Sequence, residues 1–274
     1  MNKQPCWCNV LFVLARVLGV AMLVGVTPAA GNVTRVVAVQ AAPLPGDLTQ
    51  LEALPDLNDP APPLKSAHPK SLMSTFPITE TFTGSTAPGW SLYDDAMLTG
   101  GSIDPEGQGW LRLTNATTEQ RASAILDTAF SSSEGVMMEF EYAVYGGSGA
   151  DGIAFYLIDG ATASPTTGAY GGGLGYSYRH ETGYYDPGVT NGYVGVGFDT
   201  YGNFSNTGYG DCTNVCPGLV PDRVVVRGSG NLHSGFEYLT GIAMPGGDHN
   251  RTNPYRVRVW IVDQKITVQM DSGS

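Results

Sequence analysis

Charge is scarce in this chain. Lys, Arg, Asp and Glu make up 14% of the 274 residues, with 14 basic groups against 25 acidic ones and a formal charge of −11. No basic patch is available to neutralise phosphates, which argues against nucleic acid as a partner. An acidic surface is compatible with divalent cations and neutral sugars but selects neither, because most acidic proteins are simply soluble. Helix-period segments of convincing length are missing after the first 42 residues. There is no Gly-x-Ser-x-Gly elbow to carry a nucleophilic serine. Cysteine and histidine number four each, and no histidine adjoins a cysteine or serine motif. His180, His233 and His249 read as solvated loop residues, and His68 carries no role.

Glycine (37 residues) and proline (18) are plentiful, which favours an all-β domain rich in turns. Residues 1–42 read as an export signal: Lys3 gives a weak positive start and an apolar run follows over 10–26, interrupted by Arg16. Small residues at 27–30 and 38–42 allow cleavage after Ala41 or Ala42. A membrane anchor is the rival, but the run is short and holds Arg16, so the mature chain is expected to have no membrane span and to be secreted or held at the cell surface. Cys6 and Cys8 would leave with the signal. Residues 43–75 form a Pro-rich linker, extended and unable to bury a core.

The globular domain is expected over 76–274. Short apolar runs at 110–115, 123–128, 136–146, 224–230, 236–242 and 255–270 are separated by Gly, Pro, Asp and Ser turns. Strands at this spacing imply a sandwich or barrel of antiparallel sheets. The last run reads as a hairpin turned at Asp263–Gln264. Trp90 and Trp110 flank turns and are assigned to packing. Cys212 and Cys216, the only cysteines left after signal removal, are expected to close a small disulfide loop, since two cysteines without a nearby histidine make a poor zinc site.

The most informative stretch is 149–203. Two strand-type runs, 153–158 and 193–198, sit beside loops that carry Asp151 and Asp199. Their ends can bring both carboxylates to one sheet edge, an oxygen-rich setting for calcium and a sugar. ADGIAFYLID (150–159), GGGLG (171–175) and FDTYGN (198–203) resemble, in order, the three signature loops of the L-type (legume-type) lectins, closest to the bacterial branch. The resemblance covers about residue 76 onward. It implies a concanavalin A-like jelly-roll sandwich and calcium-dependent binding of glycans or glycoconjugates, in adhesion or as a module of a larger surface protein. It further implies that Asp151 accepts from two sugar hydroxyls, that a backbone N–H at Gly172 donates to the same sugar, and that Tyr201 and Asn203 complete the site. Calcium would take the Asp199 carboxylate, the Tyr201 main-chain carbonyl and the Asn203 amide, with Asp211, or else Asp222, as fourth ligand. The family also has strands beyond the last run, so either the sequence is a fragment or the last strands of the sandwich are missing and an edge is exposed.

The chain departs from the family's pattern at two places. Gly197 stands where the family has an acidic ligand for a transition metal, and Arg223 or a neighbour replaces a later histidine, so a second metal is not expected. Two rival functions remain: a sandwich module that binds no sugar, and a glycoside hydrolase of the same fold. Hydrolysis needs two carboxylates across a cleft, and Glu139 and Glu141 are the only visible candidates, with no third acid in step.

Overall fold

The computed structural model describes strands at 12–21, 39–41 and 50–52, and residues 77–271 apart from 131, 133–134, 147–149, 214, 247–248 and 263–264. In chain order the strands begin with β1 (Phe12–Ala21), β2 (Val39–Ala41), β3 (Gln50–Glu52), β4 (Trp90–Asp94), β5 (Met97–Leu98) and β6 (Leu111–Arg112). Next come β7 (Ala122–Leu126), β8 (Val136–Tyr145), β9 (Gly152–Asp159), β10 (Arg179–Glu181), β11 (Tyr184–Asp186) and β12 (Gly192–Asp199). The series ends with β13 (Arg223–Arg227), β14 (Gly230–Asn231), β15 (Ser234–Gly235), β16 (Tyr238–Ala243), β17 (Tyr255–Val262) and β18 (Lys265–Asp271). Among the described residues the only helical pieces are two short 3-10 turns, η1 (Gly171–Gly173) and η2 (Asn203–Ser205). No helix among them is long and apolar enough to cross a membrane.

The fold is an all-β, antiparallel sandwich. One sheet runs β3-β18-β17-β8-β1-β6-β5. In the other, β12 is flanked by β9 on one side and by β13, continued by β14, on the other. Alternation along each strand decides which side chains meet between the sheets. Met138, Phe140, Tyr142 and Val144 on β8 face Val194, Val196 and Phe198 on β12, with Phe140 edge-on to Phe198 at 5.7 Å. The intervening Glu139 and Glu141 pair across the ladder with Arg258 and Arg256, each at 2.9 Å. A ladder of ion pairs, not a pair of carboxylates across a cleft, is what these two glutamates form.

The sheet that carries β12 is buried on its other face too. Leu174, Tyr176, Tyr178, Val189, Phe204 and Phe236, mostly from loops, pack there as a second core. This explains the glycines of VGVGFD. Tyr176 lies on the backbone at Gly195 and Phe204 on the backbone at Gly197, where a Cβ would run into each ring. Position 197 therefore has no room for the acidic side chain of the family pattern.

The segments read from the sequence take these places in the fold. The apolar run assigned to a cleaved export signal supplies β1, antiparallel to β8 and to β6 in the sheet interior. A short segment that is apolar but for Arg16 suits a strand as well as a signal, and composition cannot separate the two. The rest of residues 1–42, Cys6 and Cys8 included, lies outside the described residues except for β2, which pairs in parallel with β9. Most of the linker, with His68, is likewise outside them; within it β3 pairs in parallel with β18, covering part of the edge expected to be open. Strands β17 and β18 form the expected hairpin, from Val262↔Lys265 outward, though the turn itself is not described. Trp90 and Trp110 are buried, and Cys212 and Cys216 are joined by a disulfide with Cα atoms 5.7 Å apart.

Of the described histidines His249 is buried, and His180 and His233 are half-buried. His249 is buried, stacks on Tyr255 at 3.7 Å and bridges to Val144 through paired backbone bonds. His180 lies on β10 and stacks on Tyr178 and Tyr185. Loop composition misled the reading because tertiary contacts, not local polarity, decide the exposure of an amphipathic ring.

The packing at Gly197 makes a test. Gly197→Ala forces the Phe204 ring off the sheet and is expected to cost about 1–3 kcal/mol. It should lower the urea midpoint with little change in the slope, and an unchanged midpoint would mean that the ring does not rest there.

Candidate functional site

Two strand ends build the floor of the site. Gly152, at the start of β9, is the cross-strand partner of Asp199, at the end of β12. The Asp151 carbonyl then accepts the Tyr201 N–H at 3.0 Å, tying the two loops together. Gly152 is required here: its φ of +149° and the close approach of the Phe198 carbonyl leave no place for a side chain. The preceding Ala150–Asp151 peptide is cis.

The third loop arrives as η1. Gly171, at φ +65°, opens the 3-10 turn, and Leu174 closes it by donating to the Gly171 carbonyl at 3.0 Å. Such a turn leaves the N–H groups of its first residues without acceptors inside the helix. Gly172 is buried against Asn203 and the Tyr209 ring, so close that a Cβ would overlap both. A side chain beginning at Gly171 would start 3.7 Å from Asp151 Oδ2 and 3.9 Å from Arg179 Nη1. Asp151, Gly171, Gly172 and Asn203 therefore meet at one place, as the spacing of the three loops predicts.

Asp199 lies beneath them, fully buried. Its Oδ1 accepts the Gly202 N–H at 2.7 Å and its Oδ2 accepts the Phe204 N–H at 2.8 Å. Burial pushes its pKa up to about 7, the two N–H bonds pull against that, and the nearby Asp151 charge adds to the rise. Burial likewise lifts Asp151 to about 6, with Arg179 opposing and Glu181 reinforcing the shift. Two carboxylates that resist ionisation side by side offer a natural place for a cation.

The residues fit such a cation in part. Asp199, the Tyr201 carbonyl and Asn203 lie on one loop and are oxygen donors of the kind a hard ion takes. The fourth ligand is not beside them. Asp211 accepts from the Tyr178 hydroxyl at 2.7 Å and from the Gly235 N–H at 3.0 Å, so both its oxygens serve the loop cover. Asp222 follows the ladder through a bond from its N–H to the Thr200 carbonyl, but its carboxylate packs against Gly246. Arg223, the cross-strand partner of Asp199, donates to the Gly241 carbonyl on β16. Among the described residues no group of three or more His, Cys, Asp or Glu side chains forms a metal cluster.

Two arginines were not singled out by sequence reasoning. Arg227 is fully buried and donates to the carbonyls of Phe204 and Phe236 at 2.7 Å and of Asn206 at 2.9 Å. Burial lowers its pKa to about 10, yet it remains a cation at neutral pH. Arg179, only 5% exposed, lies over the Tyr184 ring at 3.6 Å and donates through Nε to Glu181 at 2.9 Å. Its Nη1 is buried with no hydrogen-bond partner. Burial works against its charge, but Tyr209 and Glu181 more than offset this and raise its pKa. Tyr209 also donates its hydroxyl to Glu181 at 2.7 Å. The only sequence signal for Arg179 is the density of tyrosines around it, since buried arginine in a chain so poor in charge is invisible to pattern.

Comparison with protein-family models, with curated proteins and with solved structures finds no match for this chain.

The raised carboxylates set a pH dependence. Asp151 and Asp199 hold protons in the folded state between about pH 4 and pH 7, where the unfolded chain has released them. Their contribution to stability is therefore lost as pH rises through that window. In chelator the melting temperature should fall between about pH 4 and pH 7, and Asp199→Asn should flatten the fall. Calorimetry showing the same slope in both proteins would contradict the shift.

Proposed function

We propose that this protein is an exported carbohydrate-binding domain, lectin-like, that recognises glycans or glycoconjugates outside the cell with the help of calcium. The observation that carries this reading is the meeting of Asp151, Gly171–Gly172 and Asn203 from three separate loops. No hydrogen bond among the described residues occupies the Asp151 carboxylate or the Asn203 amide. A pyranose presents adjacent hydroxyls, and a carboxylate acceptor next to an amide and turn N–H donors is the complement of that pattern. Tyr201 is half-buried, and in this reading its ring supplies an apolar surface. In this reading calcium is held by Asp199, the Tyr201 carbonyl and Asn203 and completed by water, with Asp211 retained in the cover.

One observation favours a second reading, an adhesive sandwich module that binds no sugar. The ligand set is short of a second carboxylate because Asp211 is engaged elsewhere. The hydrolase reading has no such support, since Glu139 and Glu141 are committed to Arg258 and Arg256.

A glycan array probed with and without chelator separates the two. Calcium-dependent signal is expected, and its absence at saturating calcium would leave the adhesive module. Asp151→Asn should weaken sugar binding by about tenfold or more, because a charged acceptor is lost. Its melting temperature should hold or rise slightly, given the raised pKa of the native group. Asp199→Ala should abolish both calcium and sugar binding, and equal affinity of Asp151→Asn and wild type would remove the site assignment.

A further inference from the structure

The candidate site lies at the Asp199 end of β12. The far end of the same strand, at Gly192, borders a separate groove of about 470 Å³. At about 3.3 Å per residue, the two ends of the strand are roughly 23 Å apart. Gly192 pairs with Ile158 on β9 and with Gly230 on β14, so the next step of the ladder sets Asp159, Asn191 and Asn231 side by side. The Asp159 N–H is donated to the Asn191 carbonyl at 2.9 Å, and the Asn191 N–H to Asn231 Oδ1 at 3.1 Å. All three residues line the groove. Tyr193 joins them through a bulge: Gly192 and Val194 face consecutive residues of β9, which leaves Tyr193 as the extra residue. A bulge re-aims its side chain, and half-buried Tyr193 becomes part of the wall.

The bonds that build this wall leave a defined set of polar atoms unused. Asn231 Oδ1 is taken by the Asn191 N–H, which orients the amide and leaves its Nδ2 as a donor. Asn191 Nδ2 donates to Thr162 at 3.2 Å and leaves Oδ1 as an acceptor. Asp159 Oδ1 accepts the Ala161 N–H at 2.8 Å. No hydrogen bond among the described residues occupies Asp159 Oδ2 or the Tyr193 hydroxyl. Charge narrows the ligand that such a set can take. No Lys or Arg is among the described walls and Asp159 is, so phosphates and carboxylates are repelled. A hard cation takes six to eight oxygens, and Asp159 is the one carboxylate there. An apolar ligand would strand the donor and the acceptors without partners. A neutral molecule rich in hydroxyls meets all of them.

We propose that the groove is a second saccharide site, at the opposite end of β12 from Asp151 and independent of calcium. Sugar hydroxyls donate to Asp159 Oδ2 and Asn191 Oδ1, and a sugar oxygen accepts from Asn231 Nδ2, with the Tyr193 hydroxyl as a further partner. The site requires neither Asp151 nor a metal, so it stands apart from the first. With both occupied, one domain holds two glycan chains at once.

The test follows the backbone amide NMR signals of the isotope-labelled full chain in chelator. Galactose, mannose, glucose and N-acetylglucosamine are each titrated into the millimolar range. At least one sugar should shift the amides of Gly192, Gly230, Asn231 and Gly235 saturably, while those of Gly171 and Gly172 stay in place. Asn231→Asp keeps an acceptor for the Asn191 N–H and removes the amide donor, and it should weaken binding about threefold or more. Asp159→Asn keeps an oxygen for the Ala161 N–H and removes the charged acceptor, and it should weaken binding about tenfold or more. Asp151→Asn should leave the affinity of the groove within about twofold. Amides that stay still with all four sugars overturn the second site, as does wild-type affinity in both groove variants. Loss of these shifts in Asp151→Asn also overturns it, since they would then report the first site. Shifts there with calcium alone and none with sugar would make the groove a cation site instead. The Gly171 and Gly172 amides, titrated again with calcium present, report the first site separately, so either site can fail without the other.

Discussion

The guanidinium of Arg227 ties together the carbonyls of Phe204, Asn206 and Phe236, three points on two loops that otherwise have no ladder to join. Each carbonyl is withdrawn from water by the loop cover and needs a donor, and an arginine in the middle of a sheet face supplies several in one plane. Desolvating the cation is costly, which is why its pKa falls, but several hydrogen bonds to one charge offset that cost. Through this group the segment after Asp199 is held down on β13. The carboxylate of Asp199 is in turn capped by the N–H groups of Gly202 and Phe204, so the loop that carries Asn203 is defined from both ends.

The second constraint is the burial of one sheet on both faces. A strand with two buried faces usually reads as a continuous apolar run. Here β12 alternates valine and phenylalanine toward the sandwich with Gly195 and Gly197 toward the cover, and Tyr176 and Phe204 fill the space that the glycines leave. The aromatic residues that close over the sheet come from the same loops that supply Gly171, Gly172 and Asn203. Packing of the cover and assembly of the candidate site are therefore one event. The diversion of Asp211 belongs to it as well: its carboxylate joins Tyr178 to the 235 turn instead of reaching Asp199.

Residues 12–21 show where composition runs out. Residues 12–21 are apolar enough for an export signal and apolar enough for β1, and the structure has them between β8 and β6. If processing removes the segment, the interior-facing edges of those two strands are freed and call for another strand.

The sequence by itself determined the all-β class, the strands β7, β8, β9, β12, β13, β16, β17 and β18, and the three loops beside the site. These follow from local rules: alternation with period two, glycine where backbone must turn or approach, and short runs between turn residues. Tertiary structure alone decided which acids are free and which are spent. Glu139 and Glu141 face arginines 119 and 115 residues later in the chain, Asp211 faces a tyrosine 33 residues earlier, and His180, His233 and His249 stack on tyrosines. The partners of a polar side chain are set by long-range packing that local pattern does not encode. Arg179, with its one donor left over beside Asp151, is visible only once the chain has folded around it.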